Sequence, residues 1–284
     1  MKKTRIGLSS NMIKIIAILC MLIDHIGMYM YFKLDDTTYY VFRSIGRVVM
    51  PIFSYMVVQG FFYTKELKKY IFRMFSFATI TQTVIIILGI INQKYFSNYW
   101  TGVTGYFGVL YSYTLSLLLL TVIDKKTIIS KLSNNQNAII RVNIFILIIL
   151  AYLNLKIEFD FQVPFIILQL YGIEKFFQKN EKLLLSQSKE NLCNSIENKG
   201  KIVSAEKYVL SKLIYYSAII VCFAISISLI KFAYGFKYTL LFAAFIIMLY
   251  NGKKGKNSDI MKWSFYIIFP LQHAIFYFVA MLIH

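Results

Sequence analysis

The chain has 284 residues, of which 58% are apolar and only 15% are charged, and its mean hydropathy is +0.61. Soluble globular domains average roughly 45–50% apolar residues, so this composition excludes an ordinary soluble enzyme. A formal net charge of +18 would indicate nucleic acid in a soluble basic protein. We expect no nucleic-acid partner, because basic residues on one side of a membrane protein serve to set its topology.

The apolar residues are concentrated in runs whose length matches a lipid bilayer. A helix rising 1.5 Å per residue needs about 20 residues to cross a hydrocarbon core of about 30 Å. We expect the first run to be a retained span and not a cleaved signal peptide, because it continues through Asp24 and His25 without a small-residue cleavage site. We therefore predict an all-α, polytopic transmembrane bundle that forms a single domain. Its nine spans cover about 11–32, 41–63, 70–91, 105–123, 139–155, 158–177, 209–230, 236–250 and 260–283.

The distribution of basic residues predicts the orientation of these spans. With the N-terminus in the cytoplasm, 24 of the 31 lysines and arginines fall on the cytoplasmic side and seven fall outside. Such an asymmetry is typical of bacterial inner-membrane proteins, and a wrong span count would destroy it. One long polar stretch, residues 178–207, is rich in Lys, Asn, Ser and Glu. We predict that it is a flexible cytoplasmic loop that is at most partly helical.

Asp24 and His25 lie near the middle of the first predicted span. An ionisable residue at that depth costs at least about 2.5–3.5 kcal/mol, so it usually has a partner or a function. Adjacent helical residues point about 100° apart, and each of the two therefore needs a partner on another helix. Either they form a polar network that holds helices together, or they belong to a functional site. In the second case His25 is a candidate base, because the imidazole titrates near neutral pH.

Arg43, Arg47 and Pro51 follow one another at i, i+4 and i+8 and so form one stripe on the second span, which Tyr55 and Gln59 extend. Arg43 could reach the membrane surface by snorkelling. Arg47 lies about 6 Å deeper along the helix, and its planar guanidinium suits a carboxylate or a phosphate. Either Asp24 or an anionic ligand is the expected partner.

Two further polar side chains lie inside predicted spans. Gln82 belongs to a threonine-rich patch of the third span, where hydrogen bonds between helices and a functional role are equally good explanations. His273 lies in the middle of the ninth span, where it either bonds a neighbouring helix or lines the same cavity as His25. The sequence contains no Walker loop, dinucleotide fingerprint, HExxH motif or serine elbow. The three cysteines lack metal-ligand spacing, so we expect no metal.

Two blocks of sequence resemble the opening of the TraX family. Residues 15–27 read IIAILCMLIDHIG, and residues 42–53 read FRSIGRVVMPIF, followed by QGFFYT at 59–64. Residues 77–82, 113–118 and 263–273 are similar to later parts of the same family. The resemblance is strong over about the first 80 residues and extends over most of the chain.

TraX-like proteins are inner-membrane proteins named for acetylating the N-terminus of a conjugative pilin, and they look like the broader group of membrane acyltransferases. The resemblance implies a multi-pass protein of the bacterial cytoplasmic membrane that uses acetyl-CoA as acyl donor and an amine or hydroxyl of a pilin-like protein or envelope glycan as acceptor. The cytoplasmic lysines at 65–69 and 253–256 are candidates to bind the phosphates of the donor. The candidate site comprises catalytic residues His25 and Asp24, and binding residues Arg43, Arg47, Gln82 and His273.

Two other classes of function are compatible with the same residues. A transporter or flippase for an anionic solute or lipid could use the buried His, Asp and Arg as a proton-coupled site. A helper subunit of a conjugation or secretion machine would need no chemistry at all. Formation of an acylated product distinguishes the enzyme from both.

Overall fold

The computed structural model describes residues 7–95, 106–125, 133–192, 197–229, 239–255 and 259–283, and every regular element in these ranges is a helix. In chain order the α-helices are α1 Ser10–Tyr29, α2 Asp36–Arg47, α3 Val49–Tyr63, α4 Leu67–Tyr95, α5 Val109–Ile123, α6 Asn134–Asn154, α7 Gln162–Leu192, α8 Glu197–Leu229, α9 Thr239–Met248 and α10 Asp259–Ile283. A short 3-10 turn, Tyr31–Lys33, joins α1 to α2.

The chain is a membrane protein. Among the residues that the structure describes, six helical segments are long and apolar enough to cross a membrane. They are Ser10–Tyr29, Asp36–Tyr63, Leu67–Ile91, Asn134–Asn154, Leu210–Ile227 and Tyr266–Ile283. A helix lies at each of the nine predicted positions, but α5 and α9 are shorter apolar helices and α7 is not one of the six candidate spans. The count of nine spans and the cytoplasmic N-terminus therefore stay predictions.

The second predicted span begins earlier than expected and is divided in two. Its N-terminus is capped by Asp35, whose carboxylate accepts a hydrogen bond of 3.0 Å from the Thr38 backbone N–H, and hydrogen bonding to Thr38 lowers the pKa of the Asp35 carboxyl. The helix then breaks at Val48. Pro51 explains the break, because it has no N–H to donate to the Arg47 carbonyl and its ring crowds that carbonyl.

This break corrects the predicted stripe from Arg43 to Gln59. Arg43 and Arg47 belong to α2, and Tyr55 and Gln59 belong to α3. The Gln59 amide donates a hydrogen bond to the buried carboxylate of Glu174 on α7. The two halves of the stripe therefore serve different clusters of polar side chains.

The expected loop at 178–207 also differs from the structure. Helix α7 continues to Leu192 and α8 begins at Glu197, so the described backbone of this stretch is helical. The physical reason is composition, because Lys, Glu, Gln and Leu are good helix formers and the segment contains no proline. Its location in the cytoplasm stays a prediction.

The main core joins buried side chains of α1, α3, α4, α5, α7, α8 and α9. Helix α2 lies against α1 so closely that a Cβ atom on Gly46 would overlap the Asp24 side chain. Small residues permit such close approach between membrane helices. By contrast, only 17% of the most apolar stretch of α6 is buried inside the bundle. The exposed aliphatic face of this helix is of the kind that contacts lipid. The close α1–α2 pair positions the site.

Candidate functional site

All six predicted site residues line one cavity of about 440 Å³. They come from four helices. Asp24 and His25 lie on α1, Arg43 and Arg47 on α2, Gln82 on α4 and His273 on α10. Apolar side chains of α3, α5 and α10 complete the wall, among them Met50, Tyr113 and Phe269. The structure thus brings these side chains together, while their roles stay predictions.

Asp24 and Arg43 form an ion pair that connects α1 to α2. The distance between Arg43 Nη1 and Asp24 Oδ1 is 2.6 Å, and the two side chains are only 13% and 14% exposed. The same Nη1 lies 3.4 Å from the Asp24 backbone carbonyl, to which it also donates. Asp24 therefore has the partner on another helix that the sequence analysis expected, and Arg43 points into the bundle.

A hydrogen bond to the preceding turn of α1 sets the tautomer of the His25 ring. Its Nδ1 lies 2.7 Å from the backbone carbonyl oxygen of Met21. A carbonyl only accepts hydrogen bonds, so Nδ1 carries the hydrogen and Nε2 of the neutral ring keeps a lone pair. The hydrogen bond to the preceding turn of α1 also fixes the orientation of the ring beside the cavity.

His273 lies against His25 although it belongs to the last helix. The two ring centroids are 4.7 Å apart and the planes meet at 86°. The Tyr29 hydroxyl lies 2.8 Å from His273 Nδ1, and His273 is 6% exposed. Both alternatives for His273 are therefore found at once, because it bonds a neighbouring helix and lines the cavity of His25.

Arg47 and Glu158 bring opposite charges to the same cavity. The Arg47 guanidinium lies 5.2 Å from the centroid of the Phe159 ring. A carboxylate oxygen of Glu158 accepts a hydrogen bond of 3.1 Å from the Val109 backbone N–H, at the start of α5. Sequence reasoning gave Glu158 no role, because an acidic residue beside a predicted span end is ordinarily a solvated loop residue.

Gln82 holds the loop before α5. Its amide nitrogen donates to the Tyr106 carbonyl at 3.1 Å, and its amide oxygen accepts from the Gly108 N–H at 3.0 Å. A side chain used in this way positions the cavity wall, and one amide hydrogen stays available to a ligand. These contacts are all within the protein, so binding of a substrate or cofactor by Gln82 stays a prediction.

Two loops line the cavity at the end where Gln82 lies. The Phe107 backbone N–H donates a hydrogen bond of 2.7 Å to the Lys156 carbonyl, and the Glu158 backbone N–H donates one of 2.8 Å to the Phe107 carbonyl. Phe159 and Asp160 have positive φ angles of 61° and 42°. Consecutive non-glycine residues in the left-handed region cost free energy and are frequent at functional sites.

A second buried carboxylate lies outside this cavity. Glu174 is 6% exposed and accepts hydrogen bonds from Gln59, Tyr215 and Gln178 at 2.9, 2.8 and 2.9 Å. Sequence reasoning missed it because Glu174 is close to charged residues at the end of a predicted span. Within the described residues, no group of three or more His, Cys, Asp or Glu side chains could hold a metal ion.

The comparisons with known proteins find one family. The family model described as "TraX protein" matches residues 9–196, which confirms the resemblance drawn from the sequence. The "Probable fimbrial assembly protein FimC, serogroup H1" of Dichelobacter nodosus is 31% identical over 77 residues. That match covers 27% of this chain and 31% of the relative, so the chain spans less than a third of the relative's length. No solved structure matches.

Proposed function

This chain belongs to the TraX family, and from that premise and the geometry of the cavity we propose that it is a membrane-embedded acyltransferase. It transfers an acetyl group from acetyl-CoA to an amine or hydroxyl of a pilin-like protein or an envelope glycan. The observation that carries the proposal is the His25 ring, held by Met21 with a lone pair on Nε2, in a cavity that two arginines also line.

The reaction needs no oxidant, reductant or metal. The acceptor nitrogen or oxygen attacks the thioester carbonyl carbon, and a C–N or C–O bond forms as the C–S bond breaks. His25 Nε2 takes the proton from the acceptor, and that proton then passes to the leaving thiolate, which departs as free coenzyme A. General base catalysis of this kind contributes typically about 10²–10⁴-fold in rate.

The arginines supply positive charge where the carbonyl oxygen becomes negative. Donors fixed in advance around a developing oxyanion supply much of the catalysis in acyl transfer. Arg43 is paired with Asp24 through one nitrogen, and a guanidinium carries five N–H donors. Arg47 reaches the same cavity from one turn further along α2. Either cation can bind the acyl donor or an anionic acceptor.

His273 and Tyr29 support the base. Their hydrogen bond holds His273 edge-on to His25, so the two imidazoles share the cavity without sharing a hydrogen bond. We assign His25 as the base and His273 as the residue that confines its ring and contacts substrate. The charge asymmetry of the loops supports a location in the bacterial cytoplasmic membrane with the N-terminus inside.

The name of the D. nodosus relative supports a surface protein as acceptor, since that relative is described as a fimbrial assembly protein. A pilin-like acceptor would present its amine or hydroxyl at the mouth of the cavity. The loops that begin at Tyr106 and Lys156 line one end of the cavity, and we propose that the acceptor enters there. We predict that they face the outer side of the membrane.

A transporter or flippase is the second candidate, and the observation that favours it is the buried Asp24–Arg43 pair in a partly apolar cavity. Ionic pairs inside membrane bundles often mark a solute or proton path. The two candidates predict different products. A transporter moves its solute across a sealed membrane without changing it.

The decisive experiment supplies purified protein with acetyl-CoA labelled in the acetyl group, together with envelope proteins and glycans from a deletion strain. Release of free coenzyme A with label in an acceptor supports the acyltransferase. Uptake of an anionic solute into proteoliposomes, with no labelled acceptor and no free coenzyme, refutes it in favour of transport. Mass spectrometry of the labelled product identifies the acceptor group.

A further inference from the structure

The cavity is lined by a carboxylate to which the proposed mechanism gives no role. Glu158 is exposed and belongs to the loop that precedes α7. Its Oε2 accepts the hydrogen bond of 3.1 Å from the Val109 backbone N–H. Among the described residues, no hydrogen bond or ion pair uses the other oxygen, Oε1. One oxygen therefore anchors the side chain, and the other stays accessible to a ligand in the cavity.

The other acidic side chain of the cavity is already used by the protein. Asp24 and Glu158 both line the cavity, but the Asp24 carboxylate is paired with Arg43 at 2.6 Å. Glu158 forms no ion pair with any residue that the structure describes. The two carboxylates therefore differ in what they can do. Asp24 connects α1 to α2, whereas Glu158 presents its negative charge to whatever enters the cavity.

The backbone fixes the position of Glu158. Its N–H donates a hydrogen bond of 2.8 Å to the Phe107 carbonyl, which ties the loop to the segment before α5. The next two residues, Phe159 and Asp160, have positive φ angles. Such angles cost free energy in residues other than glycine and persist only where the surrounding structure maintains them. The carboxylate is therefore held in advance of binding, as a recognition group must be.

Glu158 lies within electrostatic reach of the groups that carry the proposed reaction. Its negative charge acts on the His25 ring and on the Arg47 guanidinium, and the three side chains line the same cavity. A group bound at Oε1 is therefore brought near the nitrogen that takes the proton from the acceptor. Positioning of this kind lowers the entropic cost of the attack.

A primary ammonium is the group that suits this carboxylate. It combines a positive charge with three N–H donors, and hydrogen bonds between ionised partners are roughly twice as strong as those between neutral groups. A neutral hydroxyl gains much less from the charge of Glu158. A metal ion needs several ligands, and the part of the chain that the structure describes contains no group of three or more His, Cys, Asp or Glu side chains that could hold one.

We propose that Glu158 binds the acceptor as an ammonium and so selects a primary amine over a hydroxyl. The inference rests on the proposed function, because it names the residue that recognises the acceptor of that reaction. An α-amino group has an ordinary pKa of about 7.7–8.0 and enters mostly protonated at neutral pH. Its first proton leaves to solvent along the exposed carboxylate, and its second passes to His25 Nε2 during the attack and then to the leaving thiolate. The products are an amide, free coenzyme A and one proton in solution.

The binding test compares Glu158→Gln with the parent as full-length proteins in non-ionic detergent, without acetyl-CoA. Glutamine removes the charge but keeps an oxygen that can accept from the Val109 N–H, so the anchor of the loop is retained. The probes are trialanine amide with a fluorophore at its C-terminus and the N-acetylated form of the same peptide, and anisotropy reports binding. The parent should bind the peptide with the amine about tenfold more tightly than the acetylated one, and Glu158→Gln should lose this preference.

Asp160→Asn is the matched control. Asp160 is an exposed acidic residue of the same loop, and it is not among the residues that line the cavity. Asparagine adopts the positive φ angle of this position readily, so this variant loses one negative charge and should bind both peptides as the parent does. The inference is overturned if the parent shows no preference for the amine, if Glu158→Gln keeps the preference, or if Asp160→Asn loses it equally.

The transfer assay separates this inference from the proposed function. Glu158→Gln should raise the KM for the amine peptide about tenfold and leave the KM for acetyl-CoA unchanged, a difference that a general loss of folding would not produce. Binding of the amine without any acetyl transfer by the parent refutes the proposed function and leaves the ammonium site intact. Acetyl transfer to glycan hydroxyls at the same rate in Glu158→Gln and the parent overturns the inference and leaves the proposed function intact.

Discussion

Replacing His25 by asparagine separates the catalytic interpretation of this residue from the structural one. The asparagine side chain of the His25→Asn variant keeps an N–H that can donate to the Met21 carbonyl, the contact that His25 makes at 2.7 Å. It loses the ring nitrogen that accepts a proton. The perturbation is therefore large for proton transfer and small for the packing of α1.

The expected loss follows from these contacts. Removal of a general base lowers the rate typically about 10²–10⁴-fold, which is about 3–5 kcal/mol in the activation free energy. The loss of stability is expected to be about 1 kcal/mol or less, because the hydrogen bond to Met21 is retained and only the ring contact with His273 is lost. His25→Ala removes the hydrogen bond as well and should lower the yield of folded protein.

The assay measures acetyl transfer by detergent-extracted protein of matched monodispersity at several pH values. His284→Asn is the control, since it is the one remaining histidine outside the proposed site. If His25→Asn keeps the turnover of the parent at equal protein concentration, His25 is not the base, and His273 becomes the next candidate. A silent His25→Asn combined with a poorly folded His25→Ala would establish the structural role.

Three other predictions address the neighbouring residues and the topology. Arg47→Lys should lose most turnover while folding survives, because lysine keeps the charge but loses the planar fork; wild-type turnover would remove Arg47 from anion binding. Asp24→Asn should destabilise the protein by about 3–5 kcal/mol, because it leaves the buried Arg43 cation without its partner. Adding Arg43→Met should recover part of that loss in thermal unfolding, and additive losses would show that the pair does not couple. Single cysteines at 94 and 126 should label from opposite sides of the membrane, and labelling from the same side would contradict the nine-span prediction.

The amino-acid sequence by itself determined the class of the protein and the identity of the unusual residues. The length of an apolar run and the burial of a charge within it are local properties, so the helices and the six candidate side chains could be named without a structure. Family membership was also readable, because the blocks at 15–27 and 42–53 are local strings. The break at Val48 did not follow from periodicity, because the spacing of Arg43, Arg47 and Pro51 also fits one continuous helix.

Only the tertiary structure decided which faces of the helices meet. His25 and His273 lie in contact although most of the chain separates them, and hydropathy says nothing about such distant pairs. Glu158 joins the cavity because a loop carries it there. Apolar runs specify insertion into lipid, but lipid does not distinguish one apolar helix from another. The neighbours of each helix are selected by the packing of small residues and by the pairing of buried polar groups.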